Sequence, residues 1–341
     1  MPEHPVGILG TGHIAGEFDL LKAEGEEGVY SHAGAYREQG GFCLEVAADP
    51  DSARLQRFSQ AWRPRRTTTD VAELLREPLE VLSICSPDRF HVDQAMQALE
   101  AGQARALWVE KPFSPDAQEW ARLRSLAAHH KTLVLVNFQR RFDPVLQRLA
   151  NRLAGADIRL VRGLYHKGWK HIGTTLVDLI HMLLGPPRQV EARLRSPLGQ
   201  DDPILDAVLH WDRFDGQVLS LDTSSAASPC HVFELEIFTS RERILLADNT
   251  RRMTVHPIGN YVYGGVKAYL LEGRSEATGY DRSMVHAAAF IRDFLEGKRA
   301  WSERALRDCM ETSGTINACL EAAWLGGPVV PLAIPVIQDC L

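Results

Sequence analysis

A lysine set between an acid and a proline, Glu110-Lys111-Pro112, follows directly on the apolar run Ala106-Leu107-Trp108-Val109. That run has the length and composition of a strand buried on both faces. Lys111 then stands at the strand's carboxyl edge, where open α/β sheets take their ligands. An ammonium there can polarise an alcohol or carbonyl oxygen. It can also exchange a proton with that oxygen if burial or a neighbouring cation lowers its pKa. The alternative is a solvated side chain ahead of a loop. Ser114 is placed to cap the next helix, with Pro115 in its first turn and Asp116 facing its positive end.

The second stretch with chemistry is Gly10-Thr11-Gly12-His13-Ile14-Ala15, straight after the short strand Val6-Gly7-Ile8-Leu9. In that context Gly10 permits a tight turn, Gly12 lets the backbone approach a pyrophosphate, and Ala15 allows close helix–strand packing. The following strand, Cys43 to Ala48, ends in Asp49-Pro50. An acid there accepts from a ribose hydroxyl and repels a 2′-phosphate, which favours NAD over NADP. It can equally cap the next helix. Asp49 follows Gly12 at nearly twice the usual interval of about 20 residues. The polar segment from Glu17 to Tyr30 accounts for the excess and reads as an inserted loop beside the cofactor crevice.

These residues need a frame, and the chain supplies one. Helix is expected from Arg54 to Trp62 and again from Asp70 to Arg76. A strand from Val81 to Cys85 then ends at Ser86-Pro87. Helix resumes from Arg89 to Ala101 and, after the Ala106–Val109 strand, from Pro115 to His130. Thr132 to Phe138 closes the series. Such alternation is the pattern of a doubly wound parallel sheet. Ser86-Pro87 and Lys111 end successive strands, so both should overlook the nicotinamide end of a dinucleotide.

Composition narrows the function classes. At 341 residues the chain is long enough for two domains, and a net charge of −6 without basic runs argues against nucleic-acid or anionic-membrane partners. No apolar run reaches membrane-spanning length, and the first strand starts too near Met1 for a signal peptide. Six cysteines without a paired spacing give no metal or disulfide framework, so a reduced cytoplasmic setting is expected.

Taken together, Gly10 to Ala15, Ala47-Ala48-Asp49-Pro50, Cys85-Ser86-Pro87 with His91, Glu110-Lys111-Pro112 and Val136-Asn137-Phe138-Gln139-Arg140-Arg141-Phe142 resemble the glucose–fructose oxidoreductase / inositol dehydrogenase (Gfo/Idh/MocA) family. The resemblance covers essentially the whole chain and is strongest before residue 145. It implies an NAD(P)-dependent dehydrogenase whose lysine, here Lys111, touches nicotinamide ribose and substrate. It also implies cofactor contacts from Gly10, Thr11, Gly12, His13, Ile14, Asp49, Ser86, Pro87, His91 and Glu110.

After the Asp143–Leu153 helix, strand signals dominate: Ile158–Tyr165, Val190–Leu194, Ile204–Trp211, Val218–Thr223 and Val232–Phe238. Phe233, Leu235 and Ile237 alternate with Glu234 and Glu236, as in a sheet with one apolar face. Two late helices are expected at about Met284–Glu296 and Ser302–Trp324. The division is therefore a Rossmann domain over 1–137 and an α+β domain with a large open mixed or antiparallel sheet over 138–341. The resemblance implies a homodimer or homotetramer through that sheet.

One departure stands out. Where the family carries D-x-G-x-H-x-x-D, this chain reads His171-Ile172-Gly173-Thr174-Thr175-Leu176-Val177-Asp178. Gly173, Asp178 and Leu183-Leu184-Gly185 fix the register, which excludes His181 as the catalytic histidine. Thr175 then takes the histidine's place. A threonine hydroxyl cannot accept an alcohol proton near neutral pH, whereas imidazole can. Three readings stay open: His171 replaces the base, Lys111 transfers the proton itself, or the site no longer does chemistry. Asp178 would position, while Arg140, Arg141, Tyr165 and Trp169 suit a hydroxylated substrate or domain packing. The expected activity is NAD-dependent hydride transfer involving a hydroxyl of a sugar, sugar derivative or cyclic polyol. The alternatives are a catalytically impaired NAD-binding regulator and an imine or enone reductase.

Overall fold

The computed structural model describes residues 3–113, 116–196, 199–212, 217–222, 231–259, 262–263, 266–267 and 270–331, with backbone alone for 217–222, 262–263 and 266–267. It divides into two compact units, Met1–Asp143 with Asp281–Cys309 and Pro144–Tyr280 with Met310–Leu341.

The first unit opens with β1 (His4–Leu9), a widened turn at His13–Glu17, one-turn α1 (Phe18–Leu20) and α2 (His32–Gln39). The sequence suggested a loop from Glu17 to Tyr30, whereas the chain stays helical to Leu20. Asp19 then closes the excursion, its carboxylate accepting from the backbone N–H of Tyr30 (2.9 Å), the N–H of Ser31 (3.0 Å) and the Ser31 hydroxyl. Ser31 Oγ in turn caps α2 by accepting from the Gly34 N–H at 3.1 Å. The first crossover helix is thus in two pieces joined through one aspartate.

Next come β2 (Phe42–Ala48), α3 (Ser52–Trp62), β3 (Arg66–Thr68), short α4 (Val71–Leu74) and β4 (Val81–Ile84). α5 (His91–Ala101), β5 (Ala106–Val109), α6 (Ala117–His130) and β6 (Leu133–Val136) complete the run. The six strands pair in parallel in the order β3-β2-β1-β4-β5-β6. This is the doubly wound order, with its switch point between β1 and β4. Every residue of β4, β5 and β6 is buried, as strands covered on both faces require. The cap expected at Ser114 lies, with Pro115, outside the described residues. Asp116 is the cap found: its carboxylate accepts from Gln118 and Glu119 N–H groups (both 2.8 Å), and Glu119 answers to the Asp116 N–H at 2.7 Å.

The second unit contains α7 (Pro144–Leu153), β7 (Ile158–Tyr165), α8 (Thr174–Leu184), β8 (Gln189–Leu194), β9 (Leu205–His210), β10 (Gln217–Asp222) and β11 (Phe233–Thr239). β12 (Glu242–Ala247), β13 (Arg252–Pro257), the small pair β14 (Val262–Tyr263) and β15 (Val266–Lys267), and β16 (Arg274–Ala277) follow. Eight strands form one mixed sheet, β16-β13-β12-β11-β7-β10-β9-β8, in which only β7 and β10 run parallel. Phe233, Leu235 and Ile237 point into a core shared with Leu146, Leu149, Val177 and Ile180 of the helices. The opposite face carries Leu160, 45% exposed, and the ion pair of Glu236 with Arg243.

α9 (Ser283–Leu295) returns to the first unit, where Met284, Ala287 and Ile291 join the core with Tyr36 and Trp108. α10 (Arg304–Leu325) begins in the first unit and continues in the second. The contiguous boundary expected at 137/138 is therefore replaced by a discontinuous one. α9 buries its apolar face against the Rossmann helices, a pairing that sequence order does not reveal.

Candidate active site

The turn after β1 is built so that only glycine fits its first position. Gly10 has φ +84°, and a Cβ there would lie 2.7 Å from the backbone of Cys85 and Ser86 at the end of β4. Around Gly12 a Cβ would meet nothing within 4 Å, so the space is open where a dinucleotide cradle needs bare backbone. Ala15 is buried under the sheet edge, Ile14 packs beside it, and the exposed His13 pairs with Glu17 at 2.7 Å.

Asp49 ties this turn to β2. Its Oδ2 accepts from the Thr11 N–H (2.8 Å) and the Thr11 hydroxyl (3.0 Å), and Oδ1 accepts from the Asp51 N–H at 2.9 Å. Arg54 of α3 stands 3.5 Å away, a cation that the sequence reading did not single out. The residues fit a dinucleotide: an acid at the end of β2, an open glycine turn, and a helical turn beginning beside it.

At the end of β4 the Ser86 hydroxyl donates to Gln94, and His91, almost wholly buried, places Nε2 2.7 Å from the Ser86 carbonyl and Nδ1 2.9 Å from the Pro112 carbonyl. His91 therefore clasps the Ser86-Pro87 loop to the Glu110-Lys111-Pro112 loop. The Lys111–Pro112 peptide is cis.

Beside Lys111 lies a buried polar network. Glu110 Oε2 accepts the Lys111 backbone N–H at 3.3 Å, while Oε1 receives His32 Nε2 (3.0 Å) and the Asn137 side-chain amide. His32 Nδ1 lies 2.9 Å from Ser83 Oγ, which lies 2.8 Å from the Tyr36 hydroxyl, and Trp108 Nε1 donates to Asn137 Oδ1 at 3.1 Å. The ring thus spans the two, Nε2 on the carboxylate and Nδ1 on the Ser83 hydroxyl. Burial works against the Glu110 charge. The His32 hydrogen bond and charge, the Lys111 charge and the Asn137 amide nevertheless hold its carboxyl below the usual range. Burial, reinforced by the Glu110 charge, pushes the Cys85 thiol well up and leaves it a neutral packing group.

His32, Ser83 and Tyr36 were missed by the sequence reading, and Asn137 was quoted there without a role. The available signal was Ser83 and Asn137, two polar side chains within or just after strands that otherwise read as buried and apolar. Arg140 is buried, and Arg141 pairs with Asp308 at 2.8 Å within the same unit.

The second unit brings together a different group. Trp169–Gly173 forms a widened turn running into α8. His171 Nδ1 lies 2.6 Å from Asp202 Oδ2, and Thr175 Oγ1 donates to the His171 carbonyl at 3.4 Å. Asp178, one turn along α8, is buried and accepts from the Thr312 hydroxyl of α10 at 3.1 Å. His181 Nε2 meets Thr315 at 3.2 Å on the same helix pair. Tyr165 and Trp169, candidates for substrate contact, are core residues instead. Both are wholly buried, with Tyr165 OH donating to the Leu205 carbonyl (2.9 Å) and Trp169 Nε1 to the Ile316 carbonyl (3.2 Å). Their indole and phenol bury too much apolar area to be left at a solvated wall. Asp202 was not anticipated. Among the described residues no cluster of His, Cys, Asp or Glu could hold a metal, and no helix is long and apolar enough to cross a membrane.

Comparison with known proteins agrees with this geometry. Residues 5–138 match the family model described as Oxidoreductase family, NAD-binding Rossmann fold. The chain is 25% identical over 167 residues to scyllo-inositol 2-dehydrogenase (NAD(+)) of Bacillus subtilis, covering 45% of this chain and 48% of that one. It is 28% identical over 138 residues to inositol 2-dehydrogenase of Rhizobium meliloti, covering 40% and 37%. An uncharacterized oxidoreductase of Bacillus subtilis, YrbE, is 25% identical over 116 residues, covering 34% and 33%. The chain thus spans about a third to a half of the length of these curated relatives. In fold it resembles levoglucosan dehydrogenase in complex with NADH and levoglucosan, with a TM-score of 0.77 at 17% identity over 96% of this chain and 99% of that one. An NAD-binding oxidoreductase from Klebsiella pneumoniae gives 0.77 at 15% over 97% and 100%.

Proposed function

We propose, for a chain whose residues 5–138 match the Gfo/Idh/MocA oxidoreductase model, an NAD-dependent dehydrogenase of that family acting on a hydroxyl of a cyclic polyol, sugar or sugar derivative. The observation that carries this reading is the pairing of an open glycine turn at Gly12 with Lys111 anchored through Glu110 in the same sheet. The inositol and levoglucosan dehydrogenases among the similar proteins support the substrate class.

When bound, the nicotinamide accepts two electrons and a proton from a substrate carbon. Gly10, Thr11, Gly12, His13 and Ile14 would hold the pyrophosphate, Asp49 the adenosine ribose, and Ser86, Pro87, His91, Glu110 and Lys111 the nicotinamide end. Asp49 favours NAD, and Arg54 beside it is the residue against which that preference is to be tested. The Lys111 ammonium, whose charge acts on the Glu110 carboxylate, donates to the substrate oxygen and stabilises the charge that develops there. Within the second unit His171 is the candidate base and Thr175 a candidate polar contact, while Asp178 fixes α8 against α10. Self-association through the outer face of the mixed sheet and residence in a reducing cytoplasm, suited to the unbridged cysteines Cys43, Cys85, Cys309 and Cys319, belong to the same proposal.

Thr175 motivates a second reading, a dinucleotide-binding regulator without turnover. Purified protein mixed with NAD and, in turn, myo-inositol, scyllo-inositol, levoglucosan and glucose decides between them. Reduction of NAD by one of these polyols is the expected result. Tight NAD binding with no reduction by any of them favours the regulator. NADH consumption with an imine or enone but not a ketose would assign the alternative reductase chemistry.

A further inference from the structure

Glu110 keeps its charge inside the first unit although the residue is only 7% exposed. His32 Nε2 of α2 lies 3.0 Å from Oε1, the Asn137 amide after β6 donates to the same oxygen, and Oε2 accepts the Lys111 N–H at 3.3 Å. This support does not titrate away. A carboxylate only accepts, so Nε2 carries a proton whether the ring is imidazole or imidazolium. The Ser83 hydroxyl, 2.9 Å from Nδ1, accepts from the charged ring and donates to the neutral one, and the Tyr36 hydroxyl adapts to either. The His32 ring lies on the Trp108 indole with centroids 3.9 Å apart, and Trp108 Nε1 holds Asn137 Oδ1, so the Asn137 Nδ2 faces Glu110.

Nor does the network lead a proton out. From Glu110 it runs through His32 and Ser83 to Tyr36, which packs on Phe42 and Trp108 and whose phenol burial pushes far up. The Cys85 thiol beside Glu110 is likewise held neutral, and on the α9 side the Asn137 amide meets the Met284 sulfur at 3.3 Å. Glu110 is thus a fixed negative charge. Lys111 follows it directly in the chain, and the two charges act on each other. The coupling is reciprocal: an ammonium that favours a carboxylate's charge has its own charge favoured in return. We infer that Glu110 is the fixed countercharge that keeps Lys111 an ammonium where it meets substrate, with His32 and Asn137 as positioning residues acting through Glu110. The role of that ammonium in the reaction rests on the dehydrogenase reading above. Lys111 then works as a cation on the substrate oxygen and not as the acceptor of its proton. This excludes the lysine as the substitute for the histidine missing at Thr175.

Competitive acetylation with acetic anhydride, read by mass spectrometry from about pH 7 to about pH 11, follows Lys111 without cofactor or substrate. A change in access scales the whole profile, whereas a change in charge moves its midpoint. In wild type the Lys111 midpoint should not lie below that of the guanidinium-unfolded chain, a comparison that needs no variant. Glu110→Gln should move it to lower pH, so that acetylation near pH 8 rises about tenfold or more, while Glu110→Asp keeps the countercharge and most of the wild-type profile. His32→Ala should move it the same way by less, and His32→Gln should recover part of the difference. Thermal melting controls for folding. With whichever of the four polyols reduces NAD, Glu110→Gln should bring the alkaline fall in kcat to lower pH. A wild-type midpoint below that of the unfolded chain, or a Glu110→Gln profile that is merely scaled, overturns the countercharge. A kcat that rises at the Lys111 midpoint and follows it in Glu110→Gln overturns the role as a cation. If wild type reduces NAD with none of the polyols, the dehydrogenase reading fails and the role of the ammonium falls with it, while acetylation still decides the countercharge.

Discussion

The imidazole Nε2 of His32 lies 3.0 Å from Oε1 of Glu110, the residue immediately before Lys111. A buried carboxylate is costly unless hydrogen-bonded and charge-compensated, and removing one partner exposes that cost. His32→Ala should therefore lower stability by about 1–3 kcal/mol, because Glu110 and Ser83 both lose a partner. Urea unfolding of the two proteins measures this. His32→Gln, which keeps a donor, should recover part of the loss. An unchanged midpoint in His32→Ala would show that the network contributes no net stability.

Glu110 also sets a pH dependence. Its folded-state carboxyl lies below its unfolded value, which is about 4.3 for an unperturbed glutamate. Its contribution is fully present above that value and is lost as pH falls through the lower folded-state value. Wild-type stability should drop more steeply than that of Glu110→Gln on acidification below about pH 4.5. Parallel curves for the two proteins would remove Glu110 from the account.

In the proposed function, cofactor choice rests on Asp49 against Arg54. Asp49→Ser removes the negative charge and leaves the Arg54 cation, so the ratio of kcat/KM for NADP over NAD should rise about tenfold or more. Some stability is lost as well, because the Thr11 N–H and hydroxyl give up their acceptor. Steady-state kinetics with both dinucleotides provide the ratio. An unmoved ratio would mean that Asp49 only braces the turn.

The proposal assigns self-association to the outer sheet face. A charge at its exposed apolar position, Leu160→Glu, should convert a dimer or tetramer to a smaller species by light scattering. Wild-type protein that runs as a monomer would dismiss this part of the proposal.

Five strands of the Rossmann half were legible because they are short apolar runs ended by glycine, proline or charge, whereas β3, Arg66-Thr67-Thr68, is polar and was not read. β7 was read among the strand signals after Leu153. α2 was not read, since Ala33, Gly34 and Ala35 carry no apolar periodicity, and so His32 had no helix to present it. β12 and β13 escaped because arginine, glutamate and histidine interrupt their alternation. Asp202 was hidden for a different reason. It sits in Gly199-Gln200-Asp201-Asp202-Pro203, which reads as a solvated turn, and only folding brings it to His171. Tyr165 and Trp169 were aromatic and polar at once, and the core claimed them.

The most direct measurement is Lys111→Met against wild type, with NAD binding followed by fluorescence and NAD reduction followed at saturating polyol. The account predicts NAD affinity within a few-fold of wild type and turnover lower by about 10²- to 10⁴-fold. A variant that binds NAD and turns over like wild type would contradict the assignment of Lys111, and with it the site proposed around Glu110, His91 and Ser86.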